Sequence, residues 1–175
     1  IYIGAGTSGR LGVLDASECP PTFCSDPAMV VGIIAGGEPA LRHSIENVED
    51  DSAAGEKALV DLDVDAKDVV LGIAAGGTTP FVHGGLIEAH GRAAKTIFLI
   101  CTDPAHVKLP AGVPDLFIPI ATGPEILTGS TRLKAGTATK LVLNTLSTLA
   151  MVQTGKTYGN LMVDMDALKN AKLVD

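Results

Sequence analysis

Five short apolar runs, each followed by turn residues, alternate along this chain with segments of helical pattern. Most of these runs are continuously apolar, which is typical of strands that are covered on both faces. Strands of this kind occur in parallel sheets that lie between layers of helices. The sequence therefore predicts an α/β class, a doubly wound, mostly parallel five-stranded sheet flanked by helices. The predicted strands are residues 1–3, 30–35, 69–75, 96–100 and 116–120.

Helical patterns fill the gaps between the strands and extend beyond the last one. Pro20 and Pro21 are expected to end the first helix, because proline lacks the N–H that continues a helix. Asp50 or Asp51 is expected to cap the third helix, and Ser130 or Thr131 the last. The predicted helices are residues 8–17, 39–48, 52–62, 80–90 and 131–154.

Charge and composition exclude several classes of function. The net charge of −7 argues against nucleic-acid binding, which normally needs a basic surface. No apolar stretch is long enough to span a bilayer, so we expect no membrane partner. The three cysteines and four histidines follow no metal-ligand spacing, so no metal is predicted. Unpaired thiols are typical of a reducing compartment, which indicates a cytoplasmic protein.

A glycine-rich loop at residues 4–9 (Gly-Ala-Gly-Thr-Ser-Gly) follows the first strand and matches the dinucleotide pattern G-x-G-x-x-G. Such glycines let the backbone approach a phosphate at an electropositive helix N-terminus. A dinucleotide site also needs an acidic residue that closes the second strand, and Glu38 comes two residues late for it. The Thr7 and Ser8 hydroxyls suit a compact phosphomonoester better. A tight turn without a ligand remains an alternative on this pattern.

A second glycine-rich loop at residues 74–80 (Ala-Ala-Gly-Gly-Thr-Thr-Pro) follows the third strand. Both loops would lie at the carboxyl edge of a doubly wound sheet, where ligands bind. Two converging loops therefore favour phosphate binding over a plain turn. The glycines of residues 35–37 would line the same crevice.

Two groups of carboxylates are candidates for acid/base chemistry. Glu18 is expected at the C-terminal end of the first helix, where a carboxylate opposes the helix dipole and gains nothing. The acidic cluster at residues 46–51 contains Glu49. If the cluster folds toward the crevice, it would supply a general acid; otherwise it is a solvated face with a helix cap.

Three long motifs then identify a resemblance. Residues 6–12 (Gly-Thr-Ser-Gly-Arg-Leu-Gly), 15–22 (Asp-Ala-Ser-Glu-Cys-Pro-Pro-Thr) and 123–140 resemble the N-acetylmuramic acid 6-phosphate etherases, which are sugar isomerase (SIS) domain proteins. The third motif is shared with the glucokinase regulatory proteins. Family members are longer, so we expect residues 1–175 to be a single SIS domain, lacking N- and C-terminal helical parts of the full-length protein. Residues 34–38, 46–50 and 158–164 extend the match.

The resemblance implies a reaction without cofactor or metal. The family cleaves the D-lactyl ether of N-acetylmuramic acid 6-phosphate by elimination and hydration, giving N-acetylglucosamine 6-phosphate and D-lactate in cell-wall amino sugar recycling. By this resemblance, Glu18 would protonate the departing lactate oxygen, and Glu49 would handle the C2 proton and the incoming water. The implied substrate-binding residues are Gly6, Thr7, Ser8, Gly9, Gly76, Gly77, Thr78, Thr79, Ser130, Thr131 and Lys134.

One departure and three alternatives stay open. The family usually has Ser-Gly-Arg-Thr where residues 76–79 are Gly-Gly-Thr-Thr, so a hydroxyl and a guanidinium are lost and the phosphate cradle is weakened. The alternatives are a non-catalytic sugar-phosphate-binding regulatory protein, an SIS aldose–ketose phosphosugar isomerase and, third, a nicotinamide dehydrogenase. The regulatory proteins typically lack the stretch at residues 15–18, so its presence favours the enzyme.

The predicted first and last helices bear on assembly. The last helix carries leucines around much of its circumference, which indicates a buried helix; it is either a core helix or, as the resemblance favours, part of a homodimer interface. A helix over residues 8–17 spans about 15 Å, which is far for one phosphosugar to reach from its N-terminus to Glu18. Either this helix is shorter and bends back at the prolines, or Glu18 serves the neighbouring subunit. We favour the second.

Overall fold

The computed structural model describes residues 1–163 and contains a five-stranded parallel sheet. The strand order is β2-β1-β3-β4-β5, and every neighbouring pair is parallel. This confirms the doubly wound α/β class and all five predicted strands. The strands are β1 (Tyr2–Gly4), β2 (Gly32–Ile34), β3 (Val69–Ile73), β4 (Lys95–Ile100) and β5 (Leu116–Pro119).

Residues 1–163 contain five α-helices, of which four cover the two faces of the sheet. On one face, α3 and α4 pack against each other; on the other face, α1 packs against α5. The described part of the chain has no helix that is long and apolar enough to cross a membrane. The helices are α1 (Gly6–Phe23), α2 (Gly37–Arg42), α3 (Ser52–Asp61), α4 (Pro80–Gly91) and α5 (Lys134–Gln153).

Consecutive residues of the central strands place their side chains in two separate apolar cores, one on each face of the sheet. Ile3 and Phe98 belong to the core under α3 and α4, where Leu59 and Leu86 are fully buried. Their strand neighbours, such as Leu99, belong to the core under α1 and α5. Because successive strand residues point to opposite faces, a sheet covered on both sides needs apolar residues at every position. This is why the strands appear as continuous apolar runs.

The predicted stop at Pro20 and Pro21 is wrong, because α1 continues through both prolines. Each proline removes the N–H that would bond the carbonyl one turn earlier, and its ring crowds that carbonyl. The helix then closes through the Cys24 N–H, which donates to the Pro20 carbonyl at 2.9 Å. Phe23, in this last turn, packs with Met151 of α5. Packing of the final turn therefore outweighs the local loss of hydrogen bonds.

The helix predicted over residues 39–48 is also wrong in its second half. α2 ends at Arg42, and the chain then runs as an irregular loop to a 3-10 turn at Val48–Asp50. Asn47, just before this turn, has φ of +65°, a left-handed conformation that interrupts a helix. The cap predicted for α3 is confirmed at Asp51, whose Oδ1 accepts from the Ala54 N–H at 2.9 Å.

After α5 the chain forms a small antiparallel hairpin that the sequence did not indicate. Its strands are β6 (Thr157–Tyr158) and β7 (Leu161–Met162). The residues that match the family motif at 158–163 form part of this hairpin, whereas residue 164 of that motif lies outside the described residues.

Candidate functional site

A cleft of about 300 Å³ opens at the carboxyl ends of β1 and β3. These strands are neighbours at the centre of the sheet, and the chain leaves them toward opposite edges. In sheets of this order, the crevice at such a switch point is where ligands bind. Both predicted glycine-rich loops line the cleft, the first with residues 5–8 and the second with residues 74–76.

Glycines let the first loop bring α1 close to the sheet. A Cβ at Gly9 would lie 2.6 Å from Ile34 Cγ1 and 2.7 Å from the Gly4 carbonyl oxygen, so no other residue fits there. Ala5 stands at the N-cap position and has no side chain that accepts a hydrogen bond. The first N–H groups of α1 are therefore left without a side-chain cap, at a helix end that favours anions.

The second loop is fixed by its own hydrogen bonds. The Gly77 N–H donates to the Ala74 carbonyl at 3.1 Å, and the Gly77 carbonyl accepts from His83 Nε2 at 2.8 Å. Because a carbonyl can only accept, this bond assigns the imidazole proton to Nε2. The His83 ring also packs edge-on against Phe98, with ring centroids 5.8 Å apart. These contacts hold the loop so that Gly76 faces the cleft.

The third wall of the cleft is the loop after α2 together with the 3-10 turn. Glu46, on this loop, is exposed, whereas Glu49, on the turn, is half-buried, and both line the cleft. Arg10 of α1 ties this wall down: its Nε donates to the Leu41 carbonyl at 3.1 Å and its Nη2 to the His43 carbonyl at 3.2 Å. The acidic cluster therefore folds toward the crevice. This was the first of the two interpretations of the sequence; the second was a solvated face with a helix cap.

The structure brings only part of the predicted phosphosugar set to this cleft. Gly9, in the first turn of α1, packs closely against Gly4 and Ile34, and Lys134 Nζ donates to the Thr122 carbonyl at 2.8 Å. Gly77, Thr78, Ser130, Gly9 and Lys134 are not among the described residues that line the cleft; a role for them in binding stays a prediction. The predicted residues that do line it are Gly6, Thr7, Ser8, Gly76, Thr79, Thr131 and the acidic residue Glu49.

Glu125 caps α5, a role that sequence reasoning missed. Its two carboxylate oxygens accept from the Lys134 and Ala135 N–H groups, each at 2.9 Å. These bonds, the one from Ala135 first, lower the pKa of Glu125. The cap predicted at Ser130 or Thr131 is therefore wrong. No capping pattern reveals Glu125, because it precedes the helix by nine residues.

Glu18 lies in a different cleft, of about 170 Å³, between α1 and α5. Because α1 is continuous from Gly6 to Phe23, Ser8 and Glu18 are separated by about 15 Å along one helix axis. The alternative of a shorter helix that bends back at the prolines is wrong. Within one chain, Glu18 and Glu49 do not line a common cleft.

A buried carboxylate, Asp15, forms the floor of this second cleft. Its Oδ2 accepts from the Tyr2 hydroxyl at 3.0 Å, and its Oδ1 accepts from the Ser147 hydroxyl at 3.2 Å. Burial, with the Asp15 charge next, raises the pKa of Tyr2. Burial also raises the pKa of the neighbouring Cys19 thiol to about 11, so this thiol is neutral near pH 7. The network joins β1, α1 and α5 at the cleft that Glu18 also lines.

Within residues 1–163, no group of three or more His, Cys, Asp or Glu side chains is arranged to hold a metal ion.

Solved structures with this fold include three proteins of low sequence identity. The protein titled "E. coli CFT073 c3406 in complex with A5P" gives a TM-score of 0.58 at 20% identity, over 91% of this chain and 72% of that one. Phosphoheptose isomerase GmhA from Neisseria gonorrhoeae gives a TM-score of 0.55 at 15% identity, over 85% of this chain and 74% of that one. The Vibrio vulnificus NanR protein complexed with ManNAc-6P gives a TM-score of 0.51 at 15% identity, over 87% of this chain and 49% of that one. These likenesses support the fold alone.

Curated relatives are much closer in sequence. A protein of Synechococcus sp. (strain CC9605) is 59% identical over 174 residues, which are 99% of this chain and 54% of that protein. A protein of Gloeobacter violaceus (strain ATCC 29082 / PCC 7421) is 60% identical over 99% of this chain and 56% of its own length. Both are named N-acetylmuramic acid 6-phosphate etherase. The chain spans about half the length of the curated relatives it matches.

The family model described as the glucokinase regulatory protein N-terminal SIS domain matches residues 1–90. These residues contain β1 to β3, both glycine-rich loops and the acidic wall, so the match covers most of the described cleft. With the five-stranded parallel sheet and its switch-point cleft, this match shows that the chain belongs to the SIS-domain family.

Proposed function

We propose that this chain is one SIS domain, over residues 1–175, of a longer enzyme that cleaves the D-lactyl ether of N-acetylmuramic acid 6-phosphate. The products are N-acetylglucosamine 6-phosphate and D-lactate. The names of relatives that are 57–60% identical support this activity. The observation that carries the proposal is the cleft itself, where Glu49 lies opposite two glycine-rich loops suited to a phosphate.

The phosphate end of the cleft is formed by α1 and the loop after β3. The Ser8 and Thr79 hydroxyls line it, together with the backbone of Gly6 and Gly76. The uncapped N–H groups of α1 offer donors and a positive dipole end to a phosphomonoester. Gly76 retains a backbone N–H but lacks the family's serine hydroxyl, so we infer a weaker phosphate cradle than in typical relatives.

The acid/base end is the wall that carries Glu49. In the open-chain sugar, the aldehyde acidifies the C2 proton, which Glu49 removes as the ether C–O bond at C3 breaks. The departing lactate oxygen takes a proton from Glu18, because an alkoxide is a poor leaving group without one. Water then adds across the C2–C3 double bond, with Glu49 returning its proton to C2. Glu49 still holds the proton that C2 must regain, so Glu18, and not Glu49 as the resemblance implied, takes the proton of the added water. Each carboxylate then ends in the state in which it began.

A second subunit is proposed to bring Glu18 to this chemistry. Glu18 and Glu49 of one chain line different clefts, and a homodimer would join Glu18 of one subunit to Glu49 of the other. The surface of α5 supports such an assembly, because Leu141 is 63% exposed and Leu149 53% exposed on a helix that also borders the Glu18 cleft. Apolar side chains exposed along one helix face are typical of an interaction surface.

The test is an assay for D-lactate release from N-acetylmuramic acid 6-phosphate by the intact protein. Release that depends on Glu49 supports the proposal. A second candidate, a non-catalytic sugar-phosphate-binding regulator, is favoured by the family model that matches residues 1–90. Such a protein would bind the phosphosugar and release no lactate, and this outcome would replace the etherase proposal.

A further inference from the structure

Arg10 brings a fixed positive charge into the wall of the main cleft. Two of its five N–H donors bond the Leu41 and His43 carbonyls, through Nε and Nη2 respectively. Both donors on Nη1 and one on Nη2 remain. Within residues 1–163, Arg10 forms no ion pair with a carboxylate. Arg10 is half-buried and lines the cleft, and three of its donors have no partner among the described residues.

The other ionisable groups that line the cleft make this charge important. Besides Arg10, the described lining residues contribute His43 and the two carboxylates Glu46 and Glu49. A ligand that carries both a phosphate and a carboxylate would place its carboxylate near those acids. Carboxylates that share one cleft repel each other, so a bound carboxylate needs a cation beside it. Arg10 is the permanent cation among the described lining residues.

The anchors of Arg10 decide which end of the ligand it meets. They are carbonyls at the end of α2, on the same wall as Glu46 and Glu49 rather than in the loop after β3. The phosphate is assigned to the first turn of α1 and to that loop. In the proposed substrate, the ether that carries the lactyl group is next to C2, whose proton Glu49 removes. The lactyl carboxylate therefore lies at the end of the cleft where Arg10 is anchored.

We propose that Arg10 binds the lactyl carboxylate and so selects carboxyl-bearing sugar phosphates over those that lack the group. This inference rests on the proposed function. The two backbone anchors fix the plane of the guanidinium, so a planar carboxylate meets a prearranged pair of donors. The sugar product has no carboxylate, so it loses this contact and dissociates more readily than the substrate.

The experiment measures three ligands by calorimetry in the intact protein that carries Glu49→Gln, which prevents turnover. The ligands are N-acetylmuramic acid 6-phosphate, its lactyl carboxamide, which matches the shape without the charge, and N-acetylglucosamine 6-phosphate. With Arg10 present, the acid should bind about 10-fold or more tightly than the amide. Arg10→Gln, which keeps an amide donor for the backbone anchors, should reduce this preference to within about 3-fold.

The remaining outcomes separate the alternatives. If Arg10→Gln weakens all three ligands equally, Arg10 only braces the wall or binds the phosphate, and the inference is overturned. If Arg10→Gln does not fold, the affinities of the acid and the amide are compared in the protein that retains Arg10. Equal affinities there overturn the inference. Arg10→Lys should then give an intermediate preference. Absence of D-lactate release by the unmodified protein rejects the proposed function, whereas equal acid and amide affinities with lactate released reject only the role of Arg10.

Discussion

His83 Nε2 donates a hydrogen bond to the Gly77 carbonyl at 2.8 Å and thereby fixes the loop that follows β3. This loop is where the chain departs from the usual family residues. Two consecutive glycines have more backbone freedom than a serine and a glycine. A contact from α4 that limits this freedom therefore matters more here than in a relative with serine at position 76.

Replacing His83 by Phe tests this brace. Phe keeps a ring to pack on Phe98 but leaves the Gly77 carbonyl without its donor. We expect a loss of about 1 kcal/mol in the free energy of unfolding, measured by urea titration, and weaker binding of N-acetylglucosamine 6-phosphate. His90→Phe, at an exposed position on the same helix, is the matched control and should change neither quantity. Unchanged affinity in His83→Phe would show that the loop holds its shape without the histidine.

Gly76→Ser should restore the missing hydroxyl of the phosphate cradle. A Cβ at Gly76 would meet only Thr78 Oγ1, at 3.8 Å, so the site has room for a side chain. A new hydrogen bond to a charged phosphate should tighten phosphosugar binding about 10-fold in calorimetry.

Gly77→Ser provides the contrast. Gly77 has φ of +71°, and a Cβ there would lie 2.8 Å from Val107 Cγ2. This substitution should lower the melting temperature and should not tighten binding. An unchanged or weaker affinity in Gly76→Ser would mean that the loop after β3 does not hold the phosphate.

Asp115 should make stability depend on pH in the acid range. Its Oδ2 accepts from the Thr96 N–H and hydroxyl, each at 2.8 Å, and the backbone bond leads the causes that lower its pKa from 3.8 to about 2. Because the folded pKa is depressed, the stabilisation is present above pH 4 and is lost as the pH falls from about 4 to 2. Asp115→Asn should therefore lower the melting temperature at pH 6, and its difference from the parent should shrink by pH 2. A difference independent of pH would contradict this assignment.

The sequence predicted those features that repeat along the chain or follow from local chemistry. Five strands were identifiable because burial on both faces requires continuous apolar runs. The separation of Ser8 from Glu18 was also predictable, because it depends only on helix rise. The continuation of α1 through Pro20 could not be predicted, because the final turn of the helix packs against Met151, which is far away in sequence.

Long-range contacts explain the remaining differences at the site. Glu125 caps α5 across nine residues, and Arg10 bonds carbonyls more than 30 residues away. Neither set of hydrogen bonds follows a sequence spacing that can be recognised without the structure. The hairpin of β6 and β7 has strands of two residues each, which are too short for an alternating pattern.

The separation of Glu18 from Glu49 leads to the last prediction. Glu18→Gln and Glu49→Gln keep the shape of each side chain but remove its ability to transfer a proton. Each should reduce D-lactate release by about 100-fold or more, with phosphosugar binding nearly unchanged. Glu56→Gln, an exposed glutamate on α3, is the control and should retain full activity.

Mixing the two inactive variants then tests whether subunits share a site. In a dimer whose cleft takes Glu49 from one chain and Glu18 from the other, a mixed dimer has one cleft with both glutamates intact and one with neither. Random exchange makes half of the dimers mixed, so the mixture should recover about a quarter of the parent activity per subunit. If both glutamates served the cleft of their own chain, every cleft would lack one of them, and no activity would return. Recovery requires that the protein is a dimer whose subunits exchange, and light scattering should show this dimer. Leu149→Glu, on the exposed face of α5, should abolish both the dimer and the recovery of activity.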